Sequence, residues 1–162
     1  MFSDFFERKF MMDKEKRYGE VLQILPSLIE GVKNNVGVLA NCAALIKEKL
    51  EFFWVGFYMV EGEKLILGPF QGPVACYEIG YGRGVCGSAW KERRTLVVKD
   101  VEEFPGHIAC SSLSRSEIVV PIFKDDKVIG VLDIDSTAVG TFDETDRICL
   151  EKAMDFLSKN LV

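Results

Sequence analysis

Three of the chain's five cysteines stand among small, polar or glycine neighbours: Cys76 in "PVACYE", Cys86 in "GVCGSA" and Cys110 in "HIACSS". Loop thiols of this kind are accessible, and a thiol turns reactive when access is joined to a lowered pKa. Cys86 has a further argument. It follows a glycine loop at the start of a predicted helix, where unpaired backbone amides favour a thiolate. No CxxC pair occurs and the chain has one histidine, so a structural zinc site is not supported. A catalytic thiol with a resolving partner fits the residues, and so do three ordinary surface thiols. His107 precedes Cys110 by three positions. It serves either as a base or to order the loop, and nearness in sequence does not by itself place a base in space. Cys42 and Cys149 fall on predicted helices among apolar neighbours and read as core thiols.

A second set of residues is acidic. Glu117 lies in "SEIVVPI", and Asp133 and Asp135 lie in "GVLDIDS". Both stretches read as strands, which acidic residues disfavour. Asp133 and Asp135 are two apart and so project from one sheet face. Glu117 joins them if the two strands pair as a hairpin. A lone acidic pair would read as a solvated face. Three crowded carboxylates repel, so at least one holds its proton near neutrality. Such a cluster can bind an ammonium group and supply a proton. Trp54 and Tyr58, in "WVGFY", read as core or as the wall of a small-ligand pocket.

The elements that must position these residues change character along the chain. From Glu15 to Val32 apolar residues recur at helical spacing, with Pro26 placed to kink or divide the helix. A second helix fits Val36 to Leu50. "FFWVGFYMV", "KLILGPF" and "VACYEI" read as strands, the first two joined by a turn at "EGE". "GYGRGVCG" is a glycine loop before a short helix from Val85 to Arg93. It lacks both nucleotide fingerprints, GxGxxG and GxxxxGK[ST]. "TLVVKD" is strand-like. Val101 to Ser116 shows neither period, and a long irregular stretch in a compact domain is commonly functional or mobile. "EIVVPIF" and "VIGVLDID" form a last hairpin. A closing helix follows, with Asp143 as N-cap and Asp146 completing a capping box. The pattern is α+β, a single domain over 1–162 whose antiparallel sheet is covered by N- and C-terminal helices. Residues 1–14 form an N-terminal extension and the core runs over about 15–162.

The formal net charge of −5 disfavours nucleic acid, since phosphate binding needs a basic face. No signal peptide and no membrane span is visible, so a cytoplasmic protein with reduced thiols is expected. No G-x-S-x-G supports a hydrolase.

Three stretches taken together, "WVGFY…LILGPFQGPVACYEIGYGRGVCGSAW", "DVEEFPGHIACSSLSRSEIVVPI" and "GVLDIDSTAVGTFDETD", resemble the free methionine-(R)-sulfoxide reductases, a family built on the GAF fold. The resemblance runs from about Tyr18 to the C-terminus. It implies that Cys110 is the nucleophile, Cys86 the resolving thiol and Cys76 an accessory thiol. It implies that Glu117, Asp133 and Asp135 bind and protonate the substrate, and that Trp54 and Tyr58 line its pocket. Thioredoxin would be the reductant, with no metal or organic cofactor, and a homodimer is suggested. The family commonly reads "HIACD", where this chain has Ser111. The alternatives are a GAF module that senses a small ligand or redox state without turnover, and a reductase of protein-bound methionine sulfoxide.

Overall fold

The helical and strand periods resolve, in a computed structural model describing residues 2–108 and 110–162, into four α-helices and six strands. The order is α1 (Phe2–Ile29), α2 (Asn35–Leu50), β1 (Trp54–Glu61), β2 (Lys64–Gln71), β3 (Glu78–Gly80), α3 (Gly84–Glu92), β4 (Leu96–Val98), β5 (Ser116–Lys124), β6 (Lys127–Ser136) and α4 (Glu144–Asn160). A 3-10 turn, Val101–Glu103, follows β4. All strand pairs are antiparallel, in the order β3-β2-β1-β6-β5-β4.

Strand alternation gives the sheet two different faces. Val55 and Phe57 of β1, Ile118, Val120 and Ile122 of β5, and Leu132 and Ile134 of β6 turn one way. They form one buried core with the apolar stripes of α1, α2 and α4. Trp54 and Tyr58, Val119, and Val131 turn the other way and pack under α3 in a second core. Glu117, Asp133 and Asp135 share the parity of that second face. The helices at the two ends of the chain therefore supply the stable side, and α3 with the loops covers the chemical side.

Pro26 does not divide α1, contrary to the sequence expectation. The helix runs through it to Ile29, and the Glu30 amide still donates to the Pro26 carbonyl at 2.9 Å. Tyr18, Val21, Leu25 and Ile29 are all buried against the core, and that packing holds the last turn in place. Upstream, residues 3–13 continue the same helix but lie exposed. Burial begins at Lys14, whose ammonium is 2.7 Å from Asp146 and 3.1 Å from Asp143 of the α4 cap. The Tyr18 hydroxyl donates to the other Asp146 oxygen at 2.6 Å. Asp143 caps α4 and Asp146 returns the bond, as the capping-box pattern predicts.

"VACYEI" is extended only over Glu78–Gly80, a shorter strand than the sequence suggests. The cause is on β1. The Trp54 indole donates to the Pro73 carbonyl at 2.9 Å, and the Tyr58 hydroxyl donates to the Cys76 carbonyl at 2.9 Å. These bonds draw residues 73–76 across the sheet face and off the β2 ladder. After β3, a Cβ on Gly87 would lie 2.4 Å from the Gly80 carbonyl oxygen, so only glycine lets α3 settle onto this edge.

Candidate active site

The last hairpin sets the floor of the site. Glu117 on β5 lies directly opposite Asp135 on β6, and Asp133 is two residues back on the same face. Trp54 stands opposite Asp135 on the other side of β6. Gly56, between Trp54 and Tyr58, faces Asp133, and a Cβ there would lie 2.4 Å from both the Trp54 ring and Phe70. The missing side chain lets Trp54 lean along the strand. Its ring stacks 5.2 Å from Phe70 and 6.2 Å from Tyr58, centroid to centroid. This leaves the carboxylates framed by an aromatic wall.

The roof is built from α3 and the loop before β5. That loop is pinned at its base, where Val101 donates to the Arg115 carbonyl at 2.9 Å and Arg115 donates to Ser136 at 2.8 Å. Between these bonds the chain reaches out and returns, carrying His107 and Cys110. Among its described residues up to Arg115, the 3-10 segment is the one helical stretch and the rest are turns and irregular backbone, while Ser116 already belongs to β5. Ser111 accepts from the Leu113 amide at 3.3 Å, a local turn that an Asp at this position would also form. Together floor and roof form a small cleft, about 50 Å³ below its open mouth, lined by Trp54, Tyr58, Cys86, His107, Cys110, Glu117, Asp133 and Asp135. All eight are residues singled out in the sequence.

Cys110 is joined by a disulfide to Cys76, with Cα atoms 5.6 Å apart. The resemblance implied a Cys86 partner instead, and in this structure Cys86 is a free thiol. The positions explain the pairing. Cys76 rides on the segment that Tyr58 draws across the sheet, at the level of the loop. Cys86 lies below, buried, with Sγ 3.9 Å from Glu117 Oε1. Its helix-start position does not yield a thiolate either. Burial, then the charges of Asp133, Glu117 and Asp135, push its pKa well above the usual thiol range. Of the two cysteines assigned to the core, Cys42 is buried and Cys149 is only half-buried.

Burial also dominates the acids. Glu117 is raised well above the usual carboxylate range by desolvation and then by the charges of Asp133 and Asp135. Asp133 is pushed up to about 6 by burial, with hydrogen bonds from Glu117 and Cys86 pulling it back. Asp135, half-buried, is raised by burial and by Asp133, and a Ser114 side-chain bond opposes the shift. Near neutrality the cluster thus holds protons, with Glu117 and Asp135 raised furthest. His107 has its Nε2 3.7 Å from Glu117 Oε2, and burial lowers its pKa, so the imidazole is neutral. It faces the Glu117 carboxyl. Ser114 is the partner that the sequence reading missed. It lies inside "SLSRSEI", but a serine in a loop carries no signal of which strand it will touch.

The GAF domain profile matches residues 37–161. The free methionine-R-sulfoxide reductase of Escherichia coli (strain K12) is 42% identical over 151 residues, covering 93% of this chain and 92% of the relative. This chain belongs to the free methionine-R-sulfoxide reductase family. GAF domain-containing protein A of Dictyostelium discoideum is 52% identical over 145 residues, 89% of this chain and 92% of that protein. An X-ray structure of the free methionine-R-sulfoxide reductase from Neisseria meningitidis, in complex with its substrate, superposes with a TM-score of 0.87 at 52% identity. It covers 88% of this chain and 87% of that one.

Proposed function

We propose that this protein reduces free L-methionine-(R)-S-oxide to L-methionine, with Cys110 as nucleophile and Cys76 as resolving thiol. The observation that carries the reading is the Cys76–Cys110 disulfide spanning a cleft whose floor is a buried, proton-holding carboxylate cluster. Reduction of a sulfoxide by a thiol needs both parts. Protonating the sulfoxide oxygen makes the sulfur electrophilic, and a thiolate then attacks it.

The cycle begins with both Cys110 and Cys76 reduced. Glu117 gives its proton to the sulfoxide oxygen while the Cys110 sulfur attacks, and methionine leaves with Cys110 as a sulfenic acid. The Cys76 thiol condenses with that sulfenic acid, releasing water and forming the disulfide. A dithiol reductant returns both cysteines to thiols by exchange, and thioredoxin fits that role. Asp133 and Asp135 receive the ammonium of a free amino acid, and Trp54 and Tyr58 pack its aliphatic part. Cys86 then is not an obligatory redox partner. A cytoplasmic setting, where thioredoxin operates, completes the reading. No helix among the described residues is long and apolar enough to cross a membrane. Phe5, Phe6 and Phe10, exposed on the first turns of α1, offer a second copy of the chain an apolar contact.

The deciding experiment offers each free methionine sulfoxide epimer, and the N-acetylated R form, to the protein with thioredoxin, its reductase and NADPH. Oxidation of NADPH with the free R epimer alone is expected. Equal rates with the acetylated substrate would overturn the ammonium assignment, and no rate with any substrate would favour a sensor.

A further inference from the structure

Two carboxylates on the floor of the cleft, Glu117 and Asp133, adjoin a thiol, Cys86, for which sulfoxide reduction has no use. Cys86 Sγ, a Glu117 oxygen and an Asp133 oxygen lie within 4.8 Å of one another, all three residues buried. Cys86 and Glu117 are already 3.9 Å apart. Asp133 is only 7% exposed, yet its Oδ1 has no hydrogen-bond partner among the described residues. A buried, unpartnered carboxylate oxygen is costly unless something positive comes to it. His107 Nε2, 3.7 Å from Glu117 Oε2, brings an imidazole to the rim of the same group.

From this arrangement we infer a binding site for a borderline-soft divalent cation of the zinc class, formed by Cys86, Glu117 and Asp133. Hard cations such as Mg²⁺ prefer all-oxygen cages, whereas a sulfur with carboxylate and imidazole donors selects zinc-like ions. Zinc binds such donors at about 2.0–2.3 Å, which sets tetrahedral neighbours about 3.3–3.8 Å apart. Donors that lie within 4.8 Å of one another need to close by at most about 1.5 Å. The open mouth of the cleft supplies the entry path that a metal site requires. On binding, the Cys86 thiol gives its proton to solvent as the sulfur–metal bond forms, carboxyl protons leave the same way, and no electron moves. The site does not involve Cys76 or Cys110, so it persists in the disulfide form. Because it overlaps the carboxylates proposed above for the substrate ammonium, metal and substrate exclude one another. That last consequence rests on the proposed function, and the coordination does not.

The test uses the full chain in its disulfide form, without reductant, titrated with Co²⁺ as a spectroscopic stand-in for zinc. Expected are one equivalent bound and a thiolate-to-cobalt charge-transfer band in the near ultraviolet. Cys86→Ser should abolish the band, and Asp133→Asn should weaken binding by on the order of 100-fold. Cys149→Ser, which removes the half-buried thiol of α4, should leave the band intact. No band with the wild type, or a full band in Cys86→Ser, overturns the site. If Cys86→Ser fails to fold, an Asp133→Asn protein that binds Co²⁺ as tightly as wild type overturns it equally. Free methionine sulfoxide should displace the metal. A site that binds Co²⁺ but ignores methionine sulfoxide would stand, and would instead overturn the placement of the substrate ammonium.

Discussion

The Tyr58 hydroxyl donates 2.9 Å to the carbonyl of Cys76. A tyrosine on the central strand thereby fixes the backbone of the thiol that must meet Cys110. The bond does not touch the reacting sulfur, so its contribution is positional. Tyr58→Phe keeps the ring, its stacking and its burial, and removes only the donor. Losing such a bond costs about 0.5–1.5 kcal/mol, up to about tenfold in the rate of disulfide closure. Methionine release in a single turnover should stay near wild type, while trapping by dimedone reveals a longer-lived Cys110 sulfenic acid. Unchanged sulfenic acid lifetime would remove Tyr58 from this role.

Cys76→Ser and Cys86→Ser separate the two candidate resolving thiols. Both should release about one methionine per site from reduced protein, because nucleophile and acid remain. Thioredoxin-supported turnover should collapse in Cys76→Ser and largely survive in Cys86→Ser. The opposite result would return the resolving role to Cys86 and make the Cys76–Cys110 bond a side pairing. Cys110→Ser should release no methionine under either condition.

Glu117→Gln tests the proton donor. The amide preserves shape and cannot protonate the sulfoxide, so kcat should fall on the order of 10²–10⁴-fold with a smaller change in KM. Because Cys110 must be a thiolate and the donor protonated, the wild-type kcat profile should be bell-shaped, its basic limb falling as pH rises through the raised pKa of Glu117. That basic limb should vanish in Glu117→Gln. If Asp135→Asn shows this signature instead, the donor is Asp135.

The carboxylate cluster was legible from sequence because it rests on two rules of backbone geometry. Alternation puts Asp133 and Asp135 on one face, and hairpin pairing brings Glu117 opposite Asp135, as the register shows. The disulfide partner was not legible. Choosing between Cys76 and Cys86 depends on height above the sheet, set by a Tyr58 bond to a loop carbonyl and by the seating of α3 on Gly80. Neither leaves a trace in spacing. The state of the Cys86 thiol was misread for a related reason. Its place at a helix start is a local signal, and burial beside three acids is a tertiary one that outweighs it. Pro26 likewise marks a local break that packing of Leu25 and Ile29 overrides.

Lys14 is the first buried residue among those described, and its ammonium meets Asp146, which is fully buried. Lys14→Met keeps the aliphatic stem and leaves Asp146 without its cation, with Tyr18 as its remaining partner from α1. Removing one member of a buried pair costs about 3–5 kcal/mol. Urea unfolding should therefore show a lower midpoint with little change in slope. A loss below about 1 kcal/mol would mean the pair is solvated as weakly as a surface bridge. Shortening the chain to residue 13 should leave this network, and most of the stability, in place.

The acidic floor should also cost stability, in a direction set by its titration. Asp133 has its pKa pushed up to about 6, mainly by burial, from the ordinary aspartate value of 3.8. Between those two pH values the folded chain holds more protons than the unfolded one. Stability therefore falls as pH rises. The contribution of the protonated form is complete below the unfolded pKa and is lost as pH passes through about 6. A shift of this size corresponds to about 3 kcal/mol. Glu117 and Asp135 are shifted the same way and carry the decline to higher pH. In chelator-treated buffer, with the disulfide intact, wild-type unfolding free energy should decrease from pH 5 to pH 8. Asp133→Asn should show a shallower decrease and exceed wild type at pH 8 by about 1–3 kcal/mol, while losing affinity for substrate. An Asp133→Asn protein with the wild-type pH slope and no gain at pH 8 would show that the carboxylates are solvated in the folded state, and the proton-holding floor would have to be abandoned.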